Sequence, residues 1–265
     1  MVYDKAGIHD SIKGQGHWPE TDETPTLTLF LNDLEDRSLR RVKQLGVVGV
    51  SMAQLDTGGL ETWTDENLKR HIDRAAEADL ELRNIMFDPG ERIIFAQPGR
   101  DEDIETVIKA IQVAGRQGLP VMEYNFYAHR IVEGYKVVPG RGGSGLMDFN
   151  NDRIKDLPPL TGKTAHSLDE MWDNVTYYLK AVIPAAEEAN VRLALHPNDP
   201  PAPISRGSGQ IMSTVEGWKR LTDIVPSPYN GITFDCGVTR ELGHDPVEDC
   251  KYFGERGQIN HVHVH

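Results

Sequence analysis

The chain has 265 residues, with 41 Asp and Glu against 28 Lys and Arg, and a formal charge of −13. Such a surface repels phosphate backbones, so nucleic acid is not an expected partner, and no run of about 18 apolar residues offers a membrane span. Two cysteines, Cys236 and Cys250, make no disulfide framework, and residues 1–20 lack the apolar core of a signal peptide, so the sequence reads as a soluble cytoplasmic protein.

The first predicted strand is TLTLFL (26–31), followed by a helix over 33–45 that aligns Leu34, Leu39, Val42 and Leu45. VVGVSM (47–52) leads to a helix over 65–78, opened by Thr64 and Asp65 and carrying Leu68, Ile72 and Ala75. LELRNIM (80–86) precedes a helix over 102–117 with Ile104, Val107, Ile108, Ile111 and Val113. PVMEYNFY (120–127) is the fourth strand. After it, residues 128–163 form a long insertion in which Pro139, Gly143 and Gly145 argue against a regular element. A loop of that length is functional or disordered, and its place after a strand end reads as a lid. A helix over 168–189, with Leu168, Val175, Tyr178, Leu179 and Val182, leads to VRLALHP (191–197); GITFDCG (231–237) and INHVHVH (259–265) complete the series. The helical spacings each define one packed face.

Strand and helix alternate, which implies parallel strands with right-handed crossovers. No glycine-rich phosphate loop follows the first strand, which disfavours a dinucleotide-binding sheet. Polar and metal-type residues instead cluster at the C-terminal ends of several strands, where a (β/α)8 TIM barrel builds its site. Residues 1–265 therefore read as one barrel domain. Seven strands are counted where the barrel needs eight, so the sequence is expected to be a C-terminally truncated form of a longer protein.

His196 ends the fifth strand, in LALHPNDPPAP, where the prolines stiffen the loop behind it. Asp235 and Cys236 end the sixth. His261, His263 and His265 share one face of the seventh, because strand side chains repeat every two residues. Imidazole, thiolate and carboxylate are the usual ligands of a divalent transition metal, and ligands from successive strand ends converge on one ion. Asp235 and Cys236 point to opposite faces and compete for one ligand position; an acid is the harder of the two to bury without a partner. Glu123 and Asn125 share a face at the end of the fourth strand, Glu123 as a base or extra ligand and Asn125 as a partner for a substrate hydroxyl. His129, Arg130, Tyr135 and Arg141 in the insertion, and Arg206 in the following loop, are candidates to hold an anionic substrate.

YNF at 124–126, HPNDPPAP at 196–203, IMSTVEGWKRLTDIVPSPYNGITF at 211–234 and the FG…VH ending at 253–263 together resemble the mannonate dehydratase family, of the xylose-isomerase-like TIM barrels. The resemblance implies dehydration of D-mannonate to a 2-keto-3-deoxy sugar acid with a divalent metal, manganese above all, with iron(II) and magnesium as alternatives. It implies that His196 and His263 are ligands. The family's strand-six ligand is a cysteine, in a sequence like TLCTG; ungapped, TFDCG puts Asp235 there and Cys236 one residue later. The stretch after YNF and the residue at His265 also depart from the family pattern, and the family's last acidic ligand would fall beyond residue 265. Glu123, Tyr124 and His265 are the candidates for proton transfer. The expected partner is a small sugar acid, with a homo-oligomer open. An isomerase or epimerase on the same scaffold, and a noncatalytic barrel, are the rival readings.

Overall fold

Seven short apolar runs pair side by side, each in parallel with the next in sequence. They are β1 (Thr28–Leu31), β2 (Gly49–Met52), β3 (Glu81–Phe87), β4 (Val121–Tyr124), β7 (Arg192–Leu195), β10 (Asn230–Asp235) and β11 (Ile259–His263), and they follow that order in one sheet. The structure is a computed structural model and describes residues 25–130 and 132–264. The sheet is curled: β11 lies beside β10 and also approaches β7 and β4 across the interior. The result is an α/β half-barrel. All seven predicted strands are present, shortened by one to four residues in most cases.

Four helices form where the apolar stripes placed them, α1 (Asp36–Gln44), α2 (Asp65–Ala76), α4 (Arg100–Gln117) and α5 (Leu168–Ala189), and a single turn that was not anticipated, α3 (Glu91–Ile94), precedes α4. Thr64 caps α2 by accepting from Asn67 N at 3.2 Å. Ser167 and Glu170 form a reciprocal capping box at the start of α5. Its apolar face buries Met171, Val175, Tyr178, Leu179, Val182 and Ile183 completely. Two stripe residues miss the core: Leu45 lies past the end of α1 and Leu168 sits in the first turn of α5, and both are exposed. Three more helices were not anticipated from residue spacing: α6 (Val215–Ile224), α7 (Cys236–Glu241) and α8 (Pro246–Gly254). They are short, and side-chain caps from Thr214, Asp235 and Asp245 start them.

The insertion over 128–163 was expected to lack regular structure and instead contains an antiparallel hairpin, β5 (Tyr135–Pro139) with β6 (Gly145–Phe149). Val137, Val138, Leu146, Met147 and Phe149 supply strand-forming side chains. The glycines that argued against order make the turn, with Gly142 and Gly143 at φ 66° and 80°. A second small hairpin, β8 (Ile204–Ser205) with β9 (Ser208–Gly209), stands after β7.

Helices α4 and α5 approach so closely at Gly115 that a Cβ there would lie 2.4 Å from the Ala189 carbonyl oxygen. Gly115→Ala must push the two helices apart, and thermal unfolding should show a loss of about 1–3 kcal/mol; an unchanged midpoint would contradict this packing.

Candidate metal and substrate site

Strand alternation divides β4 sharply. Glu123 points into the half-barrel and Tyr124 out toward the helices. Glu123 is fully buried; its Oε2 accepts from Asn84 Nδ2 on β3 and its Oε1 from Thr233 Oγ1 on β10, each at 2.7 Å. Thr233 stands two strands away from β4, so this bond crosses the interior.

Above this floor the strand ends bring three donors together. His196 Nε2 and His263 Nδ1 are 2.9 Å apart, and Asp235 Oδ2 lies 3.8 Å from the first and 3.7 Å from the second. His196 Nδ1 faces the Pro197 carbonyl oxygen at 2.7 Å. Donating there fixes the tautomer and turns the Nε2 lone pair toward the group. Asp235 Oδ1 accepts from Val238 N at 2.8 Å, so the same carboxylate caps α7. His261 lies below His263 on the same face of β11, opposite Thr233 in the ladder, while His263 is opposite Asp235.

Burial lowers the pKa of His196, and it lowers that of His261. For His263 burial acts downward too, but the neighbouring carboxyl groups of Asp235 and Glu123 outweigh it and hold the ring above its ordinary value. His196 and His261 are thus the readier lone-pair donors at neutral pH.

Two donors that bind one ion at about 2.1 Å stand about 3.0 Å apart at a right angle, about 3.4 Å at the tetrahedral angle and up to about 4.2 Å when opposed. The separations within His196, Asp235 and His263 fall near this range. Two imidazoles and a carboxylate also suit a borderline divalent cation. The donor set therefore fits a metal.

The group opens into a cavity of about 1000 Å3 whose wall includes Asn125, Tyr127, His129 and Arg130. Asn125 and His129 are half-buried and Arg130 is exposed. His129 Nε2 is 3.0 Å from the Glu133 carboxylate. Arg206 does not line this cavity. It lies on a smaller adjoining one of about 170 Å3, where Nε donates to Glu133 Oε1 and one terminal nitrogen donates to the Pro158 carbonyl, both at 2.9 Å.

The structure places Tyr124 outside the site. Its ring stacks on Phe87 at 5.4 Å between centroids and meets Tyr178 edge-on, and burial drives its hydroxyl far above the ordinary tyrosine range. A general acid or base there has no route to the cavity. Cys236 is likewise apart from the three donors. It is the first residue of α7, packed against the core, and burial pushes its thiol up. The one-residue step from strand to helix turns it away and leaves Asp235 as the inward group. His265 lies outside the described residues.

Asn84 and Thr233 went unnoticed in the sequence. A polar residue at an inward position of a strand was their signal: Thr233 stands two before Asp235, and Asn84 interrupts LRNIM.

The insertion and the loop after β7 are tied across the cavity rim. Ser205 Oγ donates to the His129 carbonyl oxygen at 2.9 Å, and Tyr135 Oη to Asp199 Oδ1 at 3.3 Å. Arg206 and His129 share Glu133 between them. Burial tends to raise the Glu133 pKa, but a backbone hydrogen bond and those from Arg206 and His129 hold it down at about 2. A carboxylate whose folded pKa is depressed contributes stability above its unfolded value and loses it as pH falls through the folded one, so the clasp is intact at neutral pH and opens as pH falls toward about 2. Glu133→Gln should speed amide exchange in 128–134 and 204–208 about tenfold at pH 7, the effect of about 1.4 kcal/mol of local stability. Exchange at the wild-type rate would remove Glu133 as the tie.

The structure is thus a parallel α/β half-barrel with imidazoles and a carboxylate gathered at its strand ends. D-psicose 3-epimerase of Clostridium cellulolyticum superposes with a TM-score of 0.61 at 12% identity, over 89% of this chain and 71% of that one, a likeness of fold alone. The family model for D-mannonate dehydratase matches residues 28–163 and 152–265. Mannonate dehydratase of Thermotoga maritima is 32% identical over 265 aligned residues, covering 86% of this chain and 72% of its own. Mannonate dehydratase of Streptococcus suis superposes with a TM-score of 0.82 at 26% identity, over 91% of this chain and 73% of that one. The chain belongs to the D-mannonate dehydratase family. Among the described residues no helix is long and apolar enough to cross a membrane.

Proposed function

We propose that this protein is a sugar-acid dehydratase that converts D-mannonate to a 2-keto-3-deoxy sugar acid, and that its seven-stranded sheet belongs to a (β/α)8 barrel. The observation that carries the reading is the convergence of His196, Asp235 and His263 at the strand ends of a chain that belongs to this family. These three residues would hold a divalent cation, manganese first, with iron(II) and magnesium compatible with the same donors. A cation bound there supplies Lewis acidity, stabilising negative charge on the substrate carboxylate as the neighbouring C–H proton leaves.

The protein's own groups bind and orient the acid. Arg130, at the cavity wall, would meet the carboxylate, and Asn125, on the same wall, would meet a hydroxyl. His129, with Nε2 engaged by Glu133, presents Nδ1 as the group that exchanges a proton with a substrate hydroxyl. The balance is simple: a proton leaves the carbon beside the carboxylate, hydroxide leaves the next carbon and takes up a proton as water, and the resulting enol becomes the ketone. The clasped insertion limits water at the cavity, with residues 128–163 in the role of a lid.

Product analysis by NMR after incubation with D-mannonate and manganese tests the reading. The keto-deoxy acid should form, stop on chelation and return when manganese is added back. His196→Ala should lower turnover by about 100-fold or more, and full activity in that variant would reject the metal role of His196. An epimer or a ketose in place of the keto-deoxy acid would move the protein to the isomerase and epimerase reading.

A further inference from the structure

A second set of donors lies one layer deeper in the half-barrel. Glu123 Oε2 is 4.0 Å from His261 Nε2, and Glu123 Oε1 is 3.5 Å from His263 Nε2. Donor atoms of all three residues fall within 4.8 Å of one another. These separations are long for hydrogen bonds, so neither ring is simply donating to the carboxylate. They lie within the spacing of about 3.0–4.2 Å expected for donors around one ion.

Two further facts point to a cation here. Glu123 is fully buried, and the two hydrogen bonds it accepts come from neutral groups, Asn84 and Thr233. Burying a charged group is costly unless hydrogen bonds or an opposite charge offset it, and a cation at this place would do so. In addition, Asn84 Oδ1, on the side chain bonded to Glu123, is buried and accepts no hydrogen bond within the protein, which makes it a further hard oxygen donor for an ion or its bound water.

We propose that Glu123, His261 and His263 form a second divalent-cation site beside the first. The two would share His263 through opposite ring nitrogens: Nδ1 faces His196 and Asp235, and Nε2 faces Glu123. Holding both ions at once would require His263 to release its ring N–H proton to solvent, so that each nitrogen offers a lone pair. The mixed nitrogen and oxygen set suits manganese, iron(II) or zinc. Two cations would balance Glu123 and Asp235 and present a positive floor to an anionic sugar acid. The inference rests on reading the first group as a metal site.

The test is manganese stoichiometry, measured by calorimetric titration and elemental analysis of the chelator-stripped protein, with electron paramagnetic resonance on the loaded sample. Two ions per chain with a spin-coupled signal are expected. His261→Ala should bind one ion and lose the coupling, with Glu123→Gln as a gentler variant that should do the same. One ion in the wild-type protein overturns the second site and leaves the first standing. Two ions retained in both variants overturn the ligand assignment. No bound ion at all overturns this inference together with the metal reading of the first group.

Discussion

The rest of the site depends on burying two carboxyl groups inside a protein. Glu123 and Asp235 are both fully buried, and an isolated ion in that position costs several kcal/mol. The surrounding residues answer this constraint. Asn84 and Thr233 reach Glu123 from strands on either side. The backbone of α7 donates to Asp235. Three histidines stand over both acids. At this level the interior carries polar side chains, Asn84, Glu123, Thr233 and Asp235, all of them buried.

The parallel sheet delivers this arrangement with little freedom. Consecutive strands are neighbours, so residues far apart in sequence arrive at one level: Asp235 is paired with His263 and Thr233 with His261 in the ladder. Asp235 has two roles that reinforce each other. One oxygen caps α7 and the other faces the imidazoles, so the helix start fixes the carboxylate in the rotamer that the site uses. Thr239 Oγ1 donates to the Asp235 carbonyl oxygen at 2.6 Å and further anchors that turn.

The rim is organised around a different carboxylate. Glu133 draws His129 and Arg206 together, which couples a segment following β4 to the hairpin following β7. Arg206 adopts a left-handed backbone conformation, φ 48°, next to Gly207 at φ 80°, and this tight turn brings its guanidinium back onto Glu133. The guanidinium of Arg206 thereby ties the two segments together, while Arg130 stands at the wall of the larger cavity.

The strand and helix order, the parallel topology and the inward set His196, Asp235 and His263 were legible in the sequence, because alternation along strands and the 3.6-residue helical stripe are local properties. The glycines of the 128–163 insertion misled because the same residues that break a strand also make a hairpin turn, and only pairing distinguishes the two. Glu123 and Tyr124 are adjacent in sequence and equally plausible as acids; the pleat sends one to the histidine-lined interior and the other into an aromatic layer. Cys236 and Asp235 were separated by where β10 ends and α7 begins, a boundary set by the cap. The contacts of Asn84, Thr233, Glu133 and Arg206 span 39, 110 and 73 residues of chain. Composition and periodicity determined which elements form and which residue types they carry, whereas the tertiary structure decided which of those residues meet, because distance through space is set by the curl of the sheet and leaves no mark on local sequence.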